Sequence, residues 1–130
     1  MTTYRTQIGK QGEGIAAAYL QQQGFTICAR NIYTRWGEID ILATKGTDLH
    51  IIEVKTRTGM KFGGAVCALT YKKFIRMKRT FSAALQAGEQ AVCNAKKSTR
   101  NTHFSFIAVT IQGENETITP YWDISLQDFG

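Results

Sequence analysis

The stretch Trp36-Gly37-Glu38-Ile39-Asp40-Ile41-Leu42-Ala43, a turn, and then Leu49-His50-Ile51-Ile52-Glu53-Val54-Lys55 limits the folds open to this chain more than any other. Both arms alternate apolar and polar residues and are rich in Ile and Val, the period of a half-buried strand. Between them, Lys45-Gly46-Thr47-Asp48 is short and has turn chemistry, so the arms read as an antiparallel hairpin. Symmetric folding about Gly46-Thr47 sets position 42 opposite 51, 40 opposite 53 and 38 opposite 55. One face then carries Ile39, Ile41, Ala43, His50, Ile52 and Val54, and the other carries Glu38, Asp40, Leu42, Ile51, Glu53 and Lys55. A slip of one residue would mix the two faces, so the register is specified.

This register makes Asp40 and Glu53 cross-strand neighbours, with Cβ atoms roughly 5 Å apart. Like charges so placed destabilise a bare sheet. A hard divalent cation would offset that cost, and Mg2+ is commonly held by one or two carboxylates. Lys55 lies on the same face, two residues beyond Glu53. Two acids and an ammonium meet the needs of metal-assisted phosphodiester hydrolysis. The acids hold the cation, the cation lowers the pKa of a bound water, and the ammonium stabilises charge on the phosphate. The competing reading is a solvated outer face carrying ordinary surface pairs.

A chain of 130 residues is expected to form a single domain over 1–130 with its own core. No apolar run approaches the roughly 18 residues of a membrane span, and Met1-Thr2-Thr3-Tyr4-Arg5 leads into no hydrophobic signal region. A cytoplasmic protein is the expectation. Cys28, Cys67 and Cys93 share no metal-like spacing and read as reduced thiols. The net charge of +6 favours a polyanionic partner, nucleic acid first.

Residues 6–23 read as a helix with Ile8, Gly12, Ile15, Ala16, Tyr19 and Leu20 on one face and Gly24 as its C-terminal stop. Glycines at 9, 12 and 14 weaken that helix and imply close packing or a nearby ligand. Glu13 sits among them, beside the apolar stripe, within reach of the sheet. Phe25 to Arg30 reads as a strand and Asn31 to Arg35 as a connection. Arg30, Arg35 and Trp36 there are placed to contact phosphate or stack on a base, although a tryptophan after a loop is more often packing. Thr56 to Gly64, with Arg57, Lys61, Phe62 and Gly63, reads as a basic, glycine-containing loop. A second helix begins at Thr70 as N-cap and ends before Gly88, burying Phe74, Met77, Phe81, Ala84 and Leu85. Lys72, Lys73, Arg76, Lys78 and Arg79 crowd its first half with no acid among them, a band suited to a phosphate backbone. Residues 87–101 read as a loop or frayed helix end, His103 to Ile111 as a strand, and Thr117 to Ile124 as an edge strand interrupted by Pro120. His50 falls on the apolar face, as a core or rim residue.

The motifs Gly9-Lys10-Gln11-Gly12-Glu13, Ala18-Tyr19-Leu20, Gly24-Phe25, Arg30-Asn31, Gly37-Glu38-Ile39-Asp40, Glu53-Val54-Lys55-Thr56-Arg57, Phe62-Gly63 and Lys72-Lys73 together resemble the YraN-type family of small bacterial proteins. That family is placed in the restriction-endonuclease-like, PD-(D/E)xK nuclease superfamily, alongside archaeal Holliday-junction resolvases. The resemblance implies an α/β fold, a mixed sheet with a central hairpin flanked by helices. It implies a metal-dependent nuclease signature in Glu13, Asp40, Glu53 and Lys55. Asp40, Glu53 and the Val54 carbonyl would hold Mg2+ or Mn2+, and Lys55 would position or help deprotonate the attacking water. The family tends to carry an aspartate after a Phe in its late strand; here Phe104 is followed by Ser105. The expected activity is endonucleolytic hydrolysis of DNA, including structured or branched DNA. Arg35, Arg57, Lys72, Lys73, Arg76 and Arg79 would hold the backbone, with no membrane partner and with a homodimer allowed. The alternatives are a nucleic-acid-binding module without turnover, or a protein-interaction domain on the same fold.

Overall fold

The computed structural model describes residues 3–59 and 70–129. The part of the expected basic loop from Met60 to Gly64, with Lys61, Phe62 and Gly63, lies outside them, as does Cys67. Thr3 opens the first helix, α1 (Tyr4–Gln22), its side chain accepting from the Thr6 amide at 3.1 Å. Gly24, at φ +92°, ends it, and the Phe25 amide returns to the Leu20 carbonyl at 2.9 Å. Then come strands β1 (Thr26–Thr34), β2 (Gly37–Lys45) and β3 (Asp48–Thr58). Helices α2 (Tyr71–Gln86) and α3 (Gln90–Lys97) follow, then strands β4 (Asn101–Gln112) and β5 (Asn115–Tyr121), and a short 3-10 helix (Leu126–Phe129).

The five strands form one mixed sheet in the order β1-β2-β3-β4-β5. Only β3 and β4 run parallel, from Asp48 opposite Asn101 to Thr58 opposite Ile111. A parallel neighbour cannot be reached by a tight turn, and α2 and α3 supply the crossover. α1 covers one face, burying Ala16, Ala17 and Leu20 against Ile41, Ala43, Ile52, Val54, Ile107 and Val109. Leu20 is fully buried, which is worth about 1.5–3 kcal/mol. α2 and α3 cover the other face, with Phe81, Ala84, Val92 and Ala95 on Ile32, Ile39, Leu42, Leu49 and Ile51. Further along, Phe74 meets Phe106, Ala108 and Ile124. β5 is an edge strand and Pro120 lies in it, as the sequence predicts. Among the described residues, no helix is long and apolar enough to cross a membrane.

The structure corrects several expectations. β1 runs on through Asn31, Tyr33 and Thr34, which pairs with Gly37, so the connection shrinks to Arg35 and Trp36. Thr34 Oγ1 makes that turn, accepting from the Trp36 and Gly37 amides at 3.0 and 3.2 Å. Thr56, Arg57 and Thr58 belong to β3 and not to a loop, because β4 pairs with them. Within 87–101 lies α3, capped by the Glu89 carboxylate on the Ala91 amide.

The hairpin register is as read from Leu42 opposite Ile51 to Lys45 opposite Asp48, but the β2–β3 ladder stops at Ile41 opposite Ile52. Asp40 opposite Glu53 and Glu38 opposite Lys55 are therefore not ladder pairs. Glu38 instead pairs with Tyr33 of β1. The single apolar face is also broken. Ile41 and Ala43 pack under α1, whereas Ile39 packs with Ile32 under α2. The alternation fails at Asp40, across from Asn31, which sits at φ +55°.

At the other end of β3, a chain of polar contacts ties the sheet to the segment after β5. The His103 ring lies 2.9 Å from both the Asp48 and the Asp123 carboxylates. His50 Nδ1 is 3.1 Å from Ser105 Oγ, which also accepts from the Asp123 amide at 3.2 Å. His50 stacks on His103 with centroids 4.7 Å apart and is enclosed by Phe25 and Trp122.

Candidate active site

Where β2 leaves β3, a side chain takes the place of the missing rung. Asp40 Oδ2 accepts from the Val54 amide at 2.8 Å. Glu13 arrives from α1. It can do so because Gly12 presses α1 onto β3; a Cβ at Gly12 would lie 1.7 Å from Thr56 Oγ1 and 2.7 Å from Thr56 Cβ. Glu38 comes from β2 itself, two residues before Asp40. Glu13, Glu38 and Asp40 each offer a carboxylate oxygen within 4.8 Å of the others.

Such crowding away from water favours the neutral acid. Burial pushes the Asp40 carboxyl up to about 8; Glu38 and Glu13 add to the rise and the Val54 amide opposes it. Glu13 is raised by burial first and by Glu38 second, against Arg30, Asn31 and Lys10. Glu53, one residue from Val54, is also raised by burial, and the charges acting on it are cations: Lys73, Arg76 and Lys55. Lys55 is lowered by burial, with Arg57 and Lys73 adding to the effect. Glu13 Oε1 and Glu53 Oε2 are buried with no hydrogen-bond partner among the described residues. A cleft of about 570 Å3 opens beside Glu13, between the start of α1 (Tyr4, Arg5) and Lys55 and Arg57 of β3.

The structure thus brings Glu13 and Asp40 together and sets Glu53 and Lys55 on the adjoining strand. It replaces the expected Asp40–Glu53 partnership with a Glu13–Glu38–Asp40 cluster. Glu38 was legible as a same-face neighbour of Asp40, but the assumed ladder assigned it to Lys55. Val54 meets the cluster through its amide. Of the residues expected to bind nucleic acid, Lys72, Arg76 and Arg79 are exposed on α2, Lys73 is partly buried towards Glu53, Arg57 lines the cleft and Arg35 is exposed at the β1–β2 turn. None of the α2 cations forms an ion pair among the described residues. Ser105 is fully buried and serves the His50–Asp123 contact.

The profile of the uncharacterised protein family UPF0102 matches residues 12–109. The chain belongs to that family. A UPF0102 protein of Herpetosiphon aurantiacus is 45% identical over 91 residues, 70% of this chain and 73% of its own length. One from Mycolicibacterium vanbaalenii is 45% identical over 78 residues, covering 60% of this chain and 64% of the relative. One from Chlorobium chlorochromatii is 37% identical over 98 residues, 75% and 76% of the two chains. The matched UPF0102 region holds Glu13, Glu38, Asp40, Glu53 and Lys55, together with the basic helix.

Proposed function

We propose that the chain is a metal-dependent endonuclease that hydrolyses DNA phosphodiester bonds on a restriction-endonuclease-like frame. The observation that carries this reading is the convergence of Glu13, Glu38 and Asp40 at the parting of β2 from β3, beside Glu53 and Lys55. The mixed five-stranded sheet with helices on both faces is consistent with that frame. The donor set fits a hard cation: Glu13, Glu38 and Asp40 are all carboxylates, and Glu13 carries a buried oxygen without a hydrogen bond among the described residues. Asp40 and Glu13 would hold Mg2+ or Mn2+, with Glu38 and Glu53 completing the acidic surround. When bound, the ion supplies a water of lowered pKa and stabilises charge on the phosphate.

The chain's own residues do the rest. The Val54 amide fixes one Asp40 oxygen and leaves the other available. Lys55, with its pKa lowered, is suited to hold or pass on a proton of the attacking water and to bind a phosphate oxygen. Lys72, Arg76 and Arg79 offer the backbone a cationic track. Cleavage of junction, flap and linear DNA in Mg2+ or Mn2+ is expected, and Asp40→Ala or Glu53→Ala should each reduce it at least about 100-fold. Equal cleavage by both variants would mark the activity as a contaminant and overturn the proposal. A second reading, binding without turnover, draws on Asp40 being held neutral near pH 7. It predicts the same salt-sensitive binding with no cleavage under any divalent ion.

A further inference from the structure

Trp36 stands at the tip of the β1–β2 hairpin with 51% of its surface exposed. The tip is docked firmly without it. Gly37 lies so close to α2 that a Cβ there would meet Thr80 Oγ1 at 2.9 Å and Arg76 Cδ at 3.4 Å, and Thr34 closes the turn. A large ring left half in water on a rigid support is an unusual use of tryptophan. Its surroundings are cationic. The Arg35 guanidinium lies over one face of the indole, 5.1 Å from the centroid. Two shallow troughs border the ring, one lined by Lys72, Ile75, Arg76 and Arg79, the other by Lys78, Arg79 and Gln86. An aromatic plane flanked by uncompensated cations is the combination that binds unpaired nucleotides: the ring stacks on a base and the cations take the flanking phosphates. The tip also points along β2 to the acids, since Trp36 precedes Asp40 by four residues, at most about 13 Å of strand.

We infer that Trp36 is a stacking platform for an unpaired base, so that the site's substrate is nucleic acid carrying a single-stranded nucleotide close to the scissile phosphate. This deepens the nuclease reading and rests on its claim that the partner is nucleic acid. The probes are a dodecamer of thymidylate and a blunt duplex, each with the full chain in metal-free buffer. A Trp122→Phe background makes Trp36 the sole tryptophan while keeping a ring on Phe25. The oligothymidylate should quench Trp36 fluorescence. Trp36→Ala should weaken its binding about 5-fold or more while duplex affinity stays within about 2-fold, and Trp36→Phe should restore most of the loss. Unchanged oligothymidylate affinity in Trp36→Ala, or an equal loss on both probes, overturns the inference. If Trp36 proves dispensable, cleavage of duplex DNA in a separate assay with Mg2+ or Mn2+ would leave the nuclease reading standing; Trp36-dependent binding with no cleavage in that assay would sink that reading and leave this one.

Discussion

Asp40 shows how one side chain can tie the stability of this domain to pH. In the folded chain its carboxyl keeps a proton up to about pH 8, whereas in the unfolded chain it ionises near 3.8. A carboxyl raised in this way takes stability away as pH climbs from about 4 to 8, because only the unfolded state releases the proton freely. Asp40→Asn has no proton to lose and still occupies the space. It should melt higher than the wild type at pH 8 without divalent ions, by on the order of 5 °C, and the gap should close near pH 4. Added Mn2+ should raise the melting temperature of the wild type and leave Asp40→Asn unmoved, a readout independent of cleavage. Equal melting of the two proteins at pH 8 would show that Asp40 is not held neutral. The residue types at the site could be read from the chain, as Asp40, Glu53, Lys55 and Glu13 illustrate. Their partners could not, because the neighbour that matters most to Asp40, Glu38, depends on where the β2–β3 ladder stops. Alternation along a strand carries no mark of that point.

Among the elements, α1 and α2 divide the work between geometry and charge. Gly12 sets the depth at which α1 sits on β3, and so the reach of Glu13. Gly12→Ala forces the helix outward or Thr56 aside and should cost about 1–3 kcal/mol in a urea titration. Thr56→Gly in the same chain should recover part of that loss; no recovery would place the strain elsewhere. α2 supplies Lys72, Arg76 and Arg79 without acids. Replacing the three by Gln should flatten the slope of log affinity against log salt for duplex DNA by up to about 3, and an unchanged slope would remove α2 from the interface. The glycines in α1, the Thr70 cap and the stripe of α2 were plain in the sequence because helical period and caps are local signals. α3 was not, since a helix of 8 residues that buries Val92 and Ala95 shows too little of the period to stand out. The second half of β1 was hidden for a related reason. Asn31, at positive φ, looks like a break, yet Ile32 to Thr34 resume pairing beyond it.

For the molecule as a whole, one end of β3 carries two opposite pH responses. His50, buried among Phe25, Trp122 and His103, is pushed down to about 4, mainly by burial and then by the charge on His103, with Lys45 adding and Asp48 and Asp123 opposing. A histidine lowered in this way costs stability as pH falls from 6.5 towards 4, up to about 3 kcal/mol. His50→Phe should flatten that acid limb relative to the wild type; an unaltered limb would rule His50 out as its source. His103 responds in the other direction. Its burial is outweighed by the Asp48 and Asp123 carboxylates, and its pKa is raised. Its contribution is whole below the ordinary histidine pKa and fades as pH rises through the folded one. Above that point the segment after β5 is held less tightly, and the Ile124 amide, bonded to the Phe104 carbonyl at 2.7 Å, should exchange its hydrogen faster than its solvent-corrected rate predicts. The parting of β2 from β3 after Ile41 leaves the Val54 N–H as a built-in reporter. Most amides in the sheet answer to a neighbouring carbonyl and are blind to what docks outside. This one answers to a carboxylate, so its proton resonance is tuned to whatever that carboxylate is doing. A single peak in a nitrogen-correlated spectrum would then register loading, titration and release at the acidic pocket without any label at the pocket itself.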